Sequence, residues 1–160
     1  MPEPLAVEAV AALRARGLTV AVAESLTGGL LASALVDVPG ASAVFRGGVV
    51  AYATDLKASL LGVDLELLDA EGPVHPSVAE QMAAGVRLRA GADIGLATTG
   101  VAGPESQGGH PPGTFYLGFA GPDVAESRLL RAQGDRRAIR SAAVSESLAE
   151  LLRMLATAAE

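Results

Sequence analysis

Ser25 sits where a serine is most able to act as a nucleophile. In Val20-Ala21-Val22-Ala23-Glu24-Ser25-Leu26-Thr27-Gly28-Gly29, a buried strand over 19–23 runs into a sharp turn and then a helix over 27–36. The first turn of a helix carries N–H groups without helical partners and a partial positive charge. Gly28 and Gly29 let another molecule approach that backbone closely. A hydroxyl beside such donors suits attack on a carbonyl with stabilisation of the resulting oxyanion. The alternative is that Ser25 or Thr27 only caps the helix.

A second side chain is singled out by count. Of the twelve basic residues, all but Lys57 are arginine. Arginine stays charged at any accessible pH, whereas a buried lysine can give up its proton and serve as a base. Tyr52, at the end of a strand over 45–52, and Lys57, in a helix over 54–61, are close enough in sequence to share one pocket. The alternatives are a salt bridge from Lys57 to Glu24 or Asp55, and a core role for Tyr52 with its hydroxyl satisfied.

Short alternating elements position these residues. Leu5, Ala6, Ala9, Val10 and Leu13 form the apolar face of a helix over 5–16, stopped by Gly17. Val49-Val50-Ala51 is continuously apolar, as in a strand covered on both faces. Short and longer helices are expected over 65–70 and 77–90. The start of the longer one is ambiguous between a Ser77/Glu80 capping box and Pro76 in first position with His75 as cap. A strand over 94–99 leads into Thr99-Gly100-Val101-Ala102-Gly103-Pro104, then a polar, Gly- and Pro-rich segment over 105–112 expected to be mobile. In a strand over 114–120, Phe115, Leu117 and Phe119 alternate with Tyr116 and Gly118. A strand over 124–132 pairs with it as a hairpin. The last helix, over 136–158, turns Val144, Leu148, Leu151 and Leu155 inward and Glu146, Glu150 and Arg153 outward. This pattern predicts an α/β fold, a three-layer α/β/α domain on a mixed sheet, as one domain over 1–160.

Composition narrows the function. The chain has 160 residues, half of them apolar, with Tyr 2, Phe 3 and no Trp, so the core must be built from small side chains in close contact. No cysteine means no disulfide and no thiolate metal site. His75 and His110 are too isolated to propose a metal site. A net charge of −6 argues against broad nucleic-acid binding. There is no apolar run of membrane-spanning length, and Met1-Pro2-Glu3-Pro4 is not a signal peptide. A cytoplasmic protein with no membrane partner is expected. Arg128, Arg131, Arg136, Arg137 and Arg140 crowd into thirteen residues whose only acid is Asp135, and Arg136 and Arg137 fall at a helix start, where cations are unfavourable. That placement suggests a nearby anion such as a nucleotide phosphate, from this subunit or a neighbour; the alternative is a solvated face with ion pairs to Asp135 and Glu126.

Six motifs in order add a resemblance covering nearly the whole chain. They are Ala-Glu-Ser-Leu-Thr-Gly-Gly (23–29), Gly-Gly-Val-Val-Ala-Tyr (47–52), Lys57-x-x-Leu-Leu-Gly-Val (57–63), Thr-Gly-Val-Ala-Gly-Pro (99–104), Gly-Thr-Phe-Tyr-Leu-Gly (113–118) and Gly-Asp-Arg-x-x-x-Arg (134–140). Together they resemble the C-terminal domain family of the competence/damage-inducible protein CinA. Members include deamidases that convert nicotinamide mononucleotide to nicotinate mononucleotide and ammonia. The resemblance implies a Ser25–Lys57–Tyr52 catalytic group that needs no cofactor: Ser25 attacks, Lys57 takes its proton, and Tyr52 relays a proton or holds the lysine. The oxyanion is expected at Thr27 and the N–H groups of Gly28 and Gly29. Glu24 is expected to orient Lys57 or a substrate hydroxyl, and Thr99, Gly100, Arg136 and Arg140 are further substrate-binding positions. The family habit of self-association implies a homo-oligomer. Two-domain relatives carry a pyrophosphatase-like domain for which 160 residues leave no room. His75-Pro76 depart from the family's small cap residue, and the 105–112 loop lacks the lysine often found before its final proline. A non-catalytic oligomeric binding module linked to competence or the DNA-damage response is the rival reading.

Overall fold

The computed structural model describes residues 1–158. Helix α1 (Pro4–Arg16) starts on Glu3, whose carboxylate accepts the Ala6 N–H, and stops at Gly17 in the left-handed region. Strand β1 (Val20–Glu24) is buried throughout. It leads to α2 (Leu30–Val36), a 3₁₀ turn (Ala41–Ala43), β2 (Phe45–Val50), α3 (Thr54–Leu61), α4 (Leu65–Glu71), α5 (Pro76–Ala90), β3 (Ile94–Gly100), β4 (Thr114–Ala120), β5 (Ala125–Arg131) and α6 (Arg136–Thr157).

The five strands form one mixed sheet in the order β2-β1-β3-β4-β5. The β1 strand runs parallel to both β2 and β3, while β3–β4 and β4–β5 are antiparallel. The α1, α2 and α6 helices cover one face, where Val20, Val22, Ile94 and Leu96 meet Leu13, Leu31, Leu35, Leu148 and Leu151. The α3, α4 and α5 helices cover the other, over Ala21, Ala23 and Ala97. The expected three-layer α/β/α domain is therefore present.

The small residues let α5 lie directly on the sheet. A Cβ on Gly95 would collide with the Ala83 carbonyl oxygen, and one on Gly118 with that of Ala79. Contact at this range is a packing solution that larger side chains would prevent.

Several local expectations are corrected. The β2 strand is an edge, alternating between half-buried and exposed positions; Val50 is exposed, and the strand stops before Tyr52. The apolar run Val49-Val50-Ala51 reflects only one covered face. Helix α5 begins at Pro76, and His75 Nδ1 accepts the Ser77 N–H at 3.2 Å. The capping-box alternative is thus not used. Residues 105–112 contain a tight hairpin in which Gln107 and His110 exchange backbone hydrogen bonds of 2.9 and 3.0 Å. Glu150 is mostly covered and joins Arg128 and Arg153 rather than pointing outward. Among the described residues, no helix is long and apolar enough to cross a membrane.

Candidate active site

The connection from β1 leads to β2 on one side, and the chain then crosses to β3 on the other. The carboxyl ends of β1 and β3 therefore flank a topological switch point, where open α/β sheets leave a crevice. Register places Glu24 opposite both Val50 and Thr98, so Ser25 emerges at the floor of that crevice.

The turn after β1 is held from several directions. The Ser25 N–H donates to the Thr98 carbonyl at 3.0 Å and to Thr98 Oγ1 at 3.3 Å. The Ser25 carbonyl accepts the Gly28 N–H at 3.1 Å, and Thr27 Oγ1 shares a 2.8 Å hydrogen bond with Thr98 Oγ1. From α6, Arg140 donates through Nε to the Leu26 carbonyl at 2.8 Å and through Nη2 to the Thr27 carbonyl at 3.1 Å. The Leu26 side chain anchors the turn among Phe115, Leu117 and Ile139.

Lys57 reaches Ser25 from α3. Its Nζ donates to Ser25 Oγ at 3.0 Å, to the Ala51 carbonyl at 2.7 Å and to the Tyr52 carbonyl at 3.4 Å. Lys57 is 1% exposed and makes no salt bridge among the described residues. Burial without a compensating carboxylate lowers its pKa from 10.5 to about 8. The salt-bridge alternative is therefore not what the fold builds.

This arrangement suits a base. A neutral amine has two hydrogens, for which the Ala51 and Tyr52 carbonyls are acceptors. Its lone pair is then left for the Ser25 hydroxyl proton.

The surrounding cavity is about 510 Å³ and is lined by Ser25, Lys57, Tyr52, Thr99, Glu105 and Arg136, among others. Tyr52 is 60% exposed, so it is not a core residue. Its hydroxyl accepts from Arg136 Nη2 at 2.9 Å and makes no hydrogen bond to Ser25 or Lys57. Of the two expected roles, holding the lysine is met by the Tyr52 carbonyl and not by its hydroxyl. Arg136 also donates to the Gly103 carbonyl at 2.6 Å, which fixes its guanidinium at the cavity wall.

Other expected site residues are placed elsewhere. Glu24 is 1% exposed, and its two carboxylate oxygens accept the Leu31 and Ala32 N–H groups at 2.8 and 3.1 Å. It caps α2 and makes no hydrogen bond to Lys57. Helix α2 starts at Leu30, not Thr27, because Gly28 and Gly29 adopt φ of 57° and 100°. The expected oxyanion donors are corrected accordingly. Thr27 is buried against Thr98, the Gly28 N–H is spent on Ser25, and Gly29 lies outside the cavity wall. The Leu26 N–H, next to the nucleophile, has no partner among the described residues. Thr99 and Gly100 do line the cavity, but the Thr99 hydroxyl donates to the Pro73 carbonyl at 2.6 Å. A Cβ on Gly100 would collide with the Phe115 side chain, so packing explains that glycine. Arg140 is outside the cavity, committed to the serine turn, and Arg128 pairs with Glu150.

The sequence reading missed Thr98 and the Leu26 N–H. A threonine pair ending an apolar strand was the available signal for Thr98. No side-chain signal exists for a backbone donor. No group of three or more His, Asp or Glu able to hold a metal ion occurs among the described residues.

Fold and site together define an α/β domain with a buried serine–lysine pair at its switch point. A profile of the CinA C-terminal domain matches residues 2–155, and the chain belongs to that family. A CinA-like protein of Frankia casuarinae is 60% identical over 141 residues, 88% of this chain and 33% of that protein. A putative competence-damage inducible protein of Geobacillus kaustophilus is 46% identical over 156 residues, 96% of this chain and 37% of that protein. The chain thus spans about a third of the length of these relatives. Among solved structures, a CinA superfamily protein of Klebsiella pneumoniae 700603 superposes with a TM-score of 0.93 at 35% identity, covering 96% of each chain. The competence/damage inducible protein CihA of Agrobacterium tumefaciens gives 0.88 at 37% identity, covering 94% of this chain and 93% of that one.

Proposed function

We propose that this domain is an amidohydrolase that removes the carboxamide nitrogen of nicotinamide mononucleotide, with Ser25 as nucleophile and Lys57 as base. The observation that carries this reading is the 3.0 Å contact between Ser25 Oγ and the buried Lys57 amine. At a pKa of about 8, about one lysine in ten is neutral at pH 7, against about one in three thousand at 10.5.

Ser25 Oγ attacks the carboxamide carbon while its proton passes to Lys57 Nζ. The oxyanion forms beside the Leu26 N–H. Lys57 then gives its proton to the departing nitrogen, the C–N bond breaks, and ammonia leaves. The serine ester that remains is attacked by water, with Lys57 again taking the proton. Nicotinate mononucleotide is released and Ser25 regains its hydrogen. Arg136, the cavity's second cationic side chain, accepts the 5′-phosphate.

Tyr52 runs from the Lys57 amine at its carbonyl to Arg136 at its hydroxyl. Amide and phosphate ends of one mononucleotide can therefore be met along a single residue.

Purified protein should release ammonia from nicotinamide mononucleotide without added metal, and a chelator should leave the rate unchanged. Background-level release at saturating substrate refutes the amidase reading and favours a non-catalytic binding module.

A further inference from the structure

Among the described residues, Tyr52 is the one aromatic ring lining the cavity, and it is fixed at both ends. Its carbonyl lies against the Lys57 amine, and its hydroxyl is held by Arg136, itself tied to the Gly103 carbonyl. The ring is 60% exposed, so a face remains for a ligand. The hydroxyl accepts from Arg136 and hydrogen-bonds to neither Ser25 nor Lys57, whereas the ring lies open to the cavity. What the ring offers is a negative π face, which attracts a cation placed over it.

Once Lys57 is neutral, the charges lining the cavity balance, one anion against one cation, and none is placed to repel a cation over the ring face. On β1, Glu24 is consumed by the α2 backbone. On α3, neither Asp55 nor Lys57 forms a salt bridge among the described residues. Across the cavity stand Glu105 and Arg136, the latter engaged at the ring's hydroxyl edge rather than over its face. An N-substituted nicotinamide carries a permanent positive charge on its ring nitrogen. Its reduced dihydropyridine form has the same size and carboxamide but no ring charge.

We infer that Tyr52 is a specificity-determining residue whose ring face reads the positive charge of a quaternary pyridinium carboxamide, so that the cavity selects oxidised over reduced nicotinamide mononucleotide. This inference rests on the amidase reading. The amide then sits at Ser25, the charged ring lies along Tyr52, and the phosphate reaches Arg136.

The test measures binding, because reduction also makes the amide less reactive and would confuse a rate comparison. In full-length Ser25→Ala protein at pH 9, where Lys57 is mostly neutral, dissociation constants for nicotinamide mononucleotide and its dihydropyridine form are measured by calorimetry. The oxidised form should bind roughly tenfold tighter, within the range of a desolvated cation–ring contact. Adding Tyr52→Phe should keep that ratio. Adding Tyr52→Leu should bring it to within about twofold, through loss of oxidised-form affinity alone.

Equal binding of the two forms by the Tyr52 protein, or a ratio unchanged by Tyr52→Leu, overturns the inference. If the wild type still releases ammonia in that case, only the inference fails. Absence of ammonia release together with absence of binding overturns both readings.

Discussion

Lys57 joins two properties that usually exclude one another, near-complete burial and a titratable charge without a partner carboxylate. Its depressed pKa makes the acidic limb of the pH–rate profile the first quantity to measure. Activity should rise with pH through about 8, in the free-enzyme profile of kcat/KM. Lys57→Arg keeps the charge and the reach but cannot release a proton. It should lower kcat by roughly 10²–10⁴-fold, the range for a general base, while substrate still binds. A Lys57→Arg protein with near-normal kcat would falsify the base assignment. The two arginines of the Gly-Asp-Arg motif should also part company. Arg136 lines the cavity, so Arg136→Ala should raise KM for the mononucleotide with little effect on its riboside. Arg140 grips the Leu26 and Thr27 carbonyls, so Arg140→Ala should depress kcat for both substrates alike. The opposite pattern in steady-state kinetics would exchange their roles.

Among the elements, α5 sets the tightest tolerance. It is laid on β3 and β4 through glycines whose absent side chains leave room for its own carbonyls. Gly95→Ala or Gly118→Ala should therefore displace the helix and cost about 1–3 kcal/mol or more, as overpacking does. Gly17 is the control. It has φ of 64° but no atom within 4 Å of a new Cβ, so Gly17→Ala should cost only about 1 kcal/mol for its left-handed backbone. Urea melts of the variants check this order, and equal losses at Gly17 and Gly95 would count against direct helix-on-sheet contact. The α2 helix depends in the same way on Glu24, whose carboxylate satisfies two N–H groups of its first turn. That contact also ties the helix to the strand that presents Ser25.

At the scale of the whole molecule, the site and the folding equilibrium are linked through one proton. Lys57 has a lower pKa folded than unfolded, so between about 8 and 10.5 the unfolded chain binds more protons than the native one. Stability from this residue must then increase with pH across that window, whereas at neutral pH its burial opposes folding. The free energy of unfolding of wild type relative to Lys57→Met should climb between pH 8 and 10.5 and level off above it. A flat difference in denaturant titrations would mean that the lysine is not desolvated in solution. Helix α6 adds a second link, because it covers the core through Leu148 and Leu151 and also carries Arg136 and Arg140 to the site. Loss of that helix should remove fold and site together.

Local pattern was sufficient for much of this. The alternation of Phe115, Leu117 and Phe119, the small-residue core, the strand-then-turn at Ser25 and the solitary lysine are all properties of neighbours in sequence or of composition. They determined the layer architecture and picked out Ser25 and Lys57. Pairing across the sheet was decided only in three dimensions. Glu24 and Thr98 are adjacent to Ser25 in sequence or register, yet their hydrogen bonds go to an α2 backbone and a Ser25–Thr27 turn that no periodicity specifies. Whether Val50 was covered depended on β2 being an edge, which is a matter of strand order. Arg136 and Arg140 share one motif and one face of one helix, but the turn of helix between them sets the first at the cavity and the second on the serine turn. Sequence determines which groups are present and their local periodicity; which partner each polar group meets is a long-range contact, and only the packed chain decides it.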